Sequence, residues 1–136
     1  MKYLLDTNIC VYFLNKNISI VEKIDSIPES ELAISIITLA ELQFGAYNSV
    51  KIQRNLERIA FFTASISVLP VTPMVTDCYG KIKASLRKKG KPVDDFDILI
   101  GATAIVGDLI IATNNERHFE NMDGIVLESW TGKSLL

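Results

Sequence analysis

The fold of this chain is decided by residues 1–9, Met1-Lys2-Tyr3-Leu4-Leu5-Asp6-Thr7-Asn8-Ile9. The unbroken apolar run at residues 3–5 is typical of a short strand that is buried on both faces. Apolar residues then recur at helical spacing from Ile9 onward, so this stretch predicts a strand, a sharp turn and a helix. The prediction places Asp6 at the carboxyl end of a central strand, and open α/β sheets bind ligands at that edge.

The composition is that of an ordinary globular chain, and we predict a single domain that spans residues 1–136. Hydrophobic residues make up 49% of the chain and charged residues 22%, which excludes a disordered protein. No apolar run reaches the roughly 20 residues of a transmembrane helix, and no signal peptide is recognisable. We therefore expect a cytoplasmic protein without a membrane partner. Cys10 and Cys78 match neither a metal-ligand spacing nor a disulfide framework.

Short apolar runs alternate with amphipathic segments along the whole chain, which is the pattern of an α/β protein. Strands are predicted at residues 3–5, 32–36, 66–69, 109–113 and 125–127. Helices are predicted from about residue 9, at 18–27, from 38 to near 45, at 49–64, at 72–89 and from 94 or 95 to 106, with a helical turn at 116–119. Right-handed crossovers then give a three-layer fold, a mainly parallel five-stranded sheet with helices on both faces. We predict the strand order 3-2-1-4-5, with the first and fourth strands at the centre.

Three acidic residues fall at the predicted carboxyl edge of this sheet. Asp6 ends the first strand, Glu41 lies in the first predicted turn of the helix after the second strand, and Asp97 lies in the first turn of the helix that precedes the fourth strand. Ionised carboxylates a few ångströms apart repel one another, so such a cluster calls for a cation. Oxygen ligands without nearby cysteine or histidine favour Mg²⁺, with Mn²⁺ as a substitute, over zinc. A metal-bound water, made more acidic by the ion, can attack phosphorus.

Each of these acids also has a purely structural interpretation, and the pattern alone leaves that alternative open. Asp6 and Asp97 suit the amino termini of helices, where a carboxylate caps free backbone N–H groups. Thr38 and Glu41 have the spacing of a capping box. His118 is the only histidine, which excludes acid–base catalysis by two imidazoles, and we interpret it as a residue that packs or hydrogen-bonds beside Phe119.

Any bound polyanion needs a local site, because the net charge of −2 gives no general attraction to nucleic acid. Residues 81–91 contain six cationic side chains. Of these, Lys83, Arg87 and Lys88 lie on the predicted helix that leads toward Asp97, and we interpret them as candidate contacts to RNA phosphates. The alternative is a solvated helix end whose charges are favoured by the helix dipole.

Four ordered blocks of this sequence resemble the PIN-domain ribonucleases. They are LLDTNI at 4–9, SIITLAEL at 35–42 with Gly45 soon after, DFDILIGA at 95–102, and IATNN at 111–115 followed by His118 and Phe119. Within that family the chain looks like the VapC toxins of bacterial toxin–antitoxin pairs, and GIVLESW at 124–130 resembles their last strand. The similarity runs from residue 2 to about residue 130, in the order and at the spacing of the family.

The resemblance implies a Mg²⁺-dependent endoribonuclease that cuts tRNA or another structured RNA. It further implies a homodimer that is held inactive by a VapB-like antitoxin in a toxin–antitoxin hetero-oligomer. The catalytic and metal-binding acids of the family map onto Asp6, Glu41 and Asp97, with Asp6 and Asp97 closest to the ion. Phe44 and Tyr47 are interpreted chiefly as core residues, with a groove for an antitoxin helix as the alternative.

The fourth acid that many members of the family carry is replaced in this chain. The segment after the fourth strand reads Thr113-Asn114-Asn115-Glu116, so Asn115 is a candidate neutral ligand and Glu116 an acidic substitute. Asp95 is a candidate outer carboxylate or a helix cap. The departure leaves one alternative open, a degenerate PIN domain that binds RNA or a protein partner without cleaving RNA.

Overall fold

A computed structural model describes residues 1–131, so residues 132–136 of the predicted domain lie outside the described part. The strands are β1 (Tyr3–Leu5), β2 (Leu32–Ser35), β3 (Ser67–Leu69), β4 (Ile110–Thr113) and β5 (Leu127–Ser129). The helices are α1 (Thr7–Leu14), α2 (Ile18–Asp25), α3 (Ile36–Tyr47), α4 (Ile52–Ala64), α5 (Pro73–Lys89) and α6 (Asp95–Val106). Two short 3₁₀ turns, Glu29–Glu31 and Glu116–His118, complete the elements of these residues.

The five strands form one sheet in the order β3-β2-β1-β4-β5, and every pairing in it is parallel. This confirms the predicted fold class and strand order. Tyr3 of β1 lies opposite Leu32 on one side and Ile110 on the other, so the first strand is central. Because successive side chains of a strand point to opposite faces, Leu5 packs in one hydrophobic cluster and Leu4 in the other. The sheet is thus covered on both faces.

The amino terminus of α3 differs from the prediction. The helix begins at Ile36 and its cap is Ser35, whose side chain accepts a hydrogen bond from the backbone N–H of Ile37 at 3.0 Å. The predicted capping box of Thr38 and Glu41 is therefore wrong, and Glu41 lies in the second turn of the helix. A serine at the end of a strand caps the helix as well as a threonine three residues later, so the pattern alone allowed either start.

Two further predictions need correction. The fifth strand was expected at residues 125–127 but is Leu127–Ser129, because its pairing partners in β4 are Ile111 to Thr113. Phe44 and Tyr47 were interpreted as core residues, but 69% and 64% of these side chains are exposed. Within residues 1–131, no helix is long and apolar enough to cross a bilayer.

Candidate active site

Asp6 stands where the two central strands end. Its side chain is only 3% exposed, and it accepts hydrogen bonds from the Thr113 hydroxyl and from the backbone N–H of Thr7, each at 2.8 Å. Burial raises the pKa of the Asp6 carboxyl, and these two hydrogen bonds oppose the rise. The contact with Thr113 confirms that the carboxyl ends of β1 and β4 lie side by side.

Glu41 is hydrogen-bonded to Thr7, the residue that directly follows Asp6. The Thr7 hydroxyl donates to Oε1 of Glu41 at 2.7 Å and lies 3.1 Å from the hydroxyl of Thr38. The backbone N–H of Thr7 contacts Asp6, so one residue bonds to both acids. The turn between β1 and α1 thereby joins a carboxylate from the strand to one from α3.

Asp97 approaches from the first turn of α6. Its Oδ2 lies 3.2 Å from Nδ1 of His118, and its side chain is 19% exposed. The Asn115 side-chain nitrogen lies 2.9 Å from the other imidazole nitrogen of His118. An amide N–H can only donate to that nitrogen, so this contact places the proton of a neutral imidazole on Nδ1, facing Asp97.

The electrostatics of Asp97 show that the predicted acids influence one another. Its pKa is raised to about 6, chiefly by burial and further by the negative charges of Asp6, Asp94 and Glu41, while His118 acts in the opposite direction. A carboxyl whose pKa is raised by three neighbouring carboxylates lies in a region of excess negative charge. Such a region favours a bound cation.

The side chains as they stand do not form a ready coordination shell. Within residues 1–131, no three His, Cys, Asp or Glu side chains are placed to hold a metal ion together. Glu41 is turned to Thr7 and Asp97 to His118. Each contact is a single interaction of a partly exposed side chain, so turning either carboxylate toward an ion costs little. The oxygen donors and the raised pKa of Asp97 suit a hard divalent cation.

The other sequence candidates divide into two groups. Thr113 and Asn115 belong to the site, because Thr113 bonds to Asp6 and also accepts from the backbone N–H of Asn115 at 2.9 Å. Glu116 is exposed at the start of a 3₁₀ turn. Asp95 lies away from the acids and contacts Lys83 at 2.8 Å and the Tyr79 hydroxyl at 2.9 Å.

Asp95 is therefore not the helix cap that the sequence suggested. The cap of α6 is Asp94, which accepts from the backbone N–H of Phe96 at 3.2 Å. Lys83, one of the candidate RNA contacts, is held by Asp95. The other two, Arg87 and Lys88, are exposed in the last turn of α5 and form no ion pair within the described residues.

Sequence reasoning missed two residues that organise the site. His118 was expected to pack or hydrogen-bond beside Phe119, but its partners Asp97 and Asn115 were not foreseen. Thr7 was treated as a small polar residue of the turn, but it bonds to both Asp6 and Glu41. The only sequence pattern that indicates the contact of His118 with Asn115 is their spacing, because residues three apart in a helical turn share a face.

Comparison with known proteins identifies the class to which this fold and site belong. The family model of the PIN domain matches residues 3–125, and the chain belongs to the PIN-domain family. The chain is 39% identical over 132 residues to the tRNA(fMet)-specific endonuclease VapC of Shigella flexneri, covering 96% of this chain and 99% of the relative. It is 34% identical over 137 residues to ribonuclease VapC2 of Rickettsia felis, covering 96% and 98%.

Solved structures give the same assignment. The DNA-bound VapBC of Salmonella typhimurium matches with a TM-score of 0.91 and 34% identity, over 96% of this chain and 99% of that one. VapBC2 of Rickettsia felis, bound to a promoter DNA fragment, matches with a TM-score of 0.89 and 33% identity, over 96% and 100%. Within the PIN-domain family the chain thus groups with the VapC ribonucleases. PIN-domain nucleases generally use divalent metal ions.

Proposed function

We propose that this protein is the toxin of a type II toxin–antitoxin pair and acts as a Mg²⁺-dependent endoribonuclease. The observation that carries the proposal is the convergence of Asp6, Glu41 and Asp97 on one edge of the sheet. The first two acids are joined through Thr7, and the charges of both raise the pKa of the third. A site of this kind neutralises its own charge by binding a divalent ion and an anionic substrate together.

Each acid has a separate role in this proposal. Asp6 and Asp97 would hold the ion, for which Mn²⁺ can substitute, and Glu41 would orient the attacking water or accept its proton. When bound, the ion supplies a more acidic water and stabilises the charge that develops on the phosphodiester. Thr7 holds the Glu41 carboxylate by its hydroxyl, and Asn115 holds His118 against Asp97. Asn115 is thus a positioning residue, not a replacement for the fourth acid.

The proposed substrate is a structured RNA, and tRNA is the first to test. Two of the curated relatives are named tRNA(fMet)-specific endonucleases, at 39% and 35% identity. Two of the structural neighbours are complexes of VapB and VapC bound to DNA. By analogy we propose a cognate VapB-like antitoxin as partner. We also propose that the protein is a single domain that acts in the cytoplasm, where RNA and antitoxin are made.

A large apolar groove suits this antitoxin. It has a volume of about 950 Å³ and runs between α1, α2 and α4. Its apolar lining consists of Phe13, Leu14, Ile18, Val21, Phe61 and Phe62. Its rim carries four carboxylates and three cations, a mixed border of the kind that an amphipathic helix meets when it docks in a groove. Exposed Phe44 and Tyr47, on α3, are available for the contacts of a homodimer or a toxin–antitoxin hetero-oligomer.

The test is cleavage of end-labelled tRNA in Mg²⁺, in Mn²⁺ and in EDTA. We expect a discrete product with either metal and none in EDTA. Asp97→Asn should lower the rate by about 10²- to 10³-fold, the usual effect of removing one preorganised electrostatic group. Asp95→Asn is the matched control, because Asp95 lies in the same helical turn but contacts Lys83 instead of the acids.

The same experiment addresses the alternative of a degenerate PIN domain. The segment Asn114-Asn115, which departs from the acidic pattern that the resemblance implies, is the observation that favours it. RNA binding with no metal-dependent cleavage would establish that alternative and refute the nuclease. Equal rates for the Asp97→Asn and Asp95→Asn variants would refute the assignment of Asp97.

A further inference from the structure

A second and smaller cavity lies directly beside the candidate active site. It is open to solvent, has a volume of about 220 Å³ and is bordered by α1, α3 and α4. Glu41 borders it, so the cavity begins where the proposed catalytic acids end. Its apolar lining consists of Val11, Leu14, Leu42, Gly45, Ala46 and Ile59. Its polar lining, apart from Glu41, consists of Asn15, Asn55 and Arg58.

Arg58 is the unusual member of this lining. It is a half-buried cation, and it forms no ion pair within residues 1–131. Its Nη1 donates to Oδ1 of Asn55 at 3.3 Å, and Nδ2 of Asn55 donates to the Ser49 hydroxyl at 2.8 Å. The guanidinium is thus fixed at the cavity by a neutral amide, and most of its donors stay available for an anion.

One residue that borders the cavity is a glycine. Gly45 lies within α3, and a Cβ built there would meet no atom within 4 Å. A helical glycine costs stability relative to alanine, and at this position no packing constraint requires it. Larger side chains can therefore be introduced at position 45 without a clash at the Cβ.

We propose that this cavity is the subsite for an unpaired nucleotide that flanks the cleaved bond of the RNA. The base would lie on the apolar floor, the amides of Asn15 and Asn55 would bond to its edge, and Arg58 would bind its phosphodiester. Proteins hold splayed-out bases of RNA by contacts with the base faces and by hydrogen bonds to the base edges, and the two amides can supply such hydrogen bonds here. The inference rests on the proposed ribonuclease function and adds a subsite for one nucleotide beside the cleaved bond.

The first test separates binding from turnover in the intact protein with tRNA as substrate. Arg58→Gln should raise KM by roughly 10- to 100-fold, the range expected for the loss of a hydrogen bond to a charged group, and leave kcat within about threefold. Gly45→Leu, which adds volume beside the cavity without removing a charge, should act in the same direction. The matched controls are Arg54→Gln, one turn earlier on α4 and outside this cavity, and Gly45→Ala. Equal KM values for the Arg58 and Arg54 variants would overturn the proposal.

The second test does not depend on cleavage. Nucleoside 5′-monophosphates are titrated in EDTA to about 10 mM, a concentration that nearly saturates a site with a Kd of about 1 mM. The NMR signals of Arg58 Nε and of the Asn15 and Asn55 side-chain amides are followed during the titration. We expect saturable shifts that Arg58→Gln and Gly45→Leu abolish and that ribose 5-phosphate, which lacks a base, does not reproduce. Equal shifts with ribose 5-phosphate, or shifts produced only by a co-expressed antitoxin, would overturn the subsite.

The two tests keep the subsite and the proposed function apart. Nucleotide-induced shifts in a protein that cleaves no tRNA would support the cavity while refuting the nuclease. Metal-dependent cleavage without any nucleotide response would support the nuclease while refuting the cavity.

Discussion

Asp6 and Asp97 are both largely buried, but their charges are compensated differently. Asp6 is almost fully buried and is compensated by two hydrogen-bond donors. Asp97 is paired with His118 and is influenced by the negative charges of three other carboxylates. A buried carboxylate with good donors is a stable part of the fold, whereas one surrounded by like charge is held in an unfavourable state that a cation relieves.

The raised pKa of Asp97 makes a prediction about stability in the absence of metal. Its folded-state pKa of about 6 exceeds the ordinary value of 3.8 for an aspartate, so the folded protein binds more protons between these values. The free energy of unfolding therefore falls as the pH rises through this window, and the loss is complete above about pH 6. Asp97→Asn should remove the loss and stabilise the protein at pH 7 by about 1–3 kcal/mol.

Urea unfolding in EDTA between pH 4 and 7 measures this effect. Asp95→Asn is the control of opposite sign, because Lys83 and Tyr79 hold the pKa of Asp95 below its usual value. An unchanged pH slope in the Asp97→Asn variant would show that burial and the neighbouring carboxylates do not raise the pKa of Asp97 in the folded protein.

Thr113 makes a second prediction at the scale of one residue. Thr113→Val keeps the shape of the side chain but removes the hydroxyl that donates to buried Asp6 at 2.8 Å. The loss of a hydrogen bond to a charged group should destabilise the protein by about 1.5–3 kcal/mol at pH 7. The raised pKa of Asp6 should rise further, so the penalty should fade as the pH falls and Asp6 becomes protonated. A penalty that is the same at pH 4 and pH 7 would mean that the lost bond from the backbone N–H of Asn115, or lost packing, is responsible instead of lost charge stabilisation.

At the scale of elements, the sequence could predict which strands and helices bring the acids together but not which side chains hold them. Strand ends at Asp6 and Thr113 follow from short apolar runs, and parallel strands place such ends at one edge. The Thr7–Glu41 contact joins residues that are 34 positions apart, and no local pattern encodes such a pairing. The capping box was predicted from a local pattern, but Ser35, the residue directly before the helix, caps α3 instead.

Helix α5 makes a prediction about the candidate RNA contacts. Lys81, Lys83 and Lys89 are each paired with an aspartate, whereas Arg87 and Lys88 form no ion pair among residues 1–131. If Arg87 and Lys88 each contact one phosphate, the double variant Arg87→Gln/Lys88→Gln should reduce the slope of log K against log salt by about 1.4 to 1.8. Binding of labelled tRNA in EDTA from 50 to 300 mM salt (about the range in which such slopes are measured) gives that slope.

Lys83→Gln and Lys51→Gln are the controls for this prediction. Lys83 is already neutralised by Asp95 at 2.8 Å. The loss of Lys83 should therefore change the slope less than the loss of Arg87 or the loss of Lys88. Lys51 is exposed just before α4 and should have no effect. A double variant with the slope of the parent would leave α5 as a solvated helix end and assign RNA binding to other residues.

At the scale of the whole molecule, the three acids come from parts of the chain that fold around both faces of the sheet. Asp6 follows β1, Glu41 lies on α3 and Asp97 on α6, and α3 contacts α6. An ion bound by all three would therefore connect the central strand with two helices. Because the unfolded chain separates these residues by 35 and 56 positions (41 − 6 and 97 − 41), it cannot bind the ion in the same way.

This arrangement predicts that Mg²⁺ stabilises the native state by mass action. A ligand that binds only the folded protein adds RT ln(1 + [L]/Kd) to the free energy of unfolding, or about 2.7 kcal/mol at 100 times Kd. The midpoint of thermal unfolding should rise with Mg²⁺ in the parent and in Asp95→Asn, but not in Asp97→Asn. The Asp97→Asn variant starts from a higher midpoint because the buried charge at position 97 and its repulsion by the other carboxylates are already removed. A parallel rise in all three proteins would identify a general salt effect. Only a shared ion site makes Asp97→Asn more stable than the parent in EDTA and less stable than the parent in Mg²⁺. If Asp97 were only a helix cap, the substitution would lower the stability of the protein in both conditions.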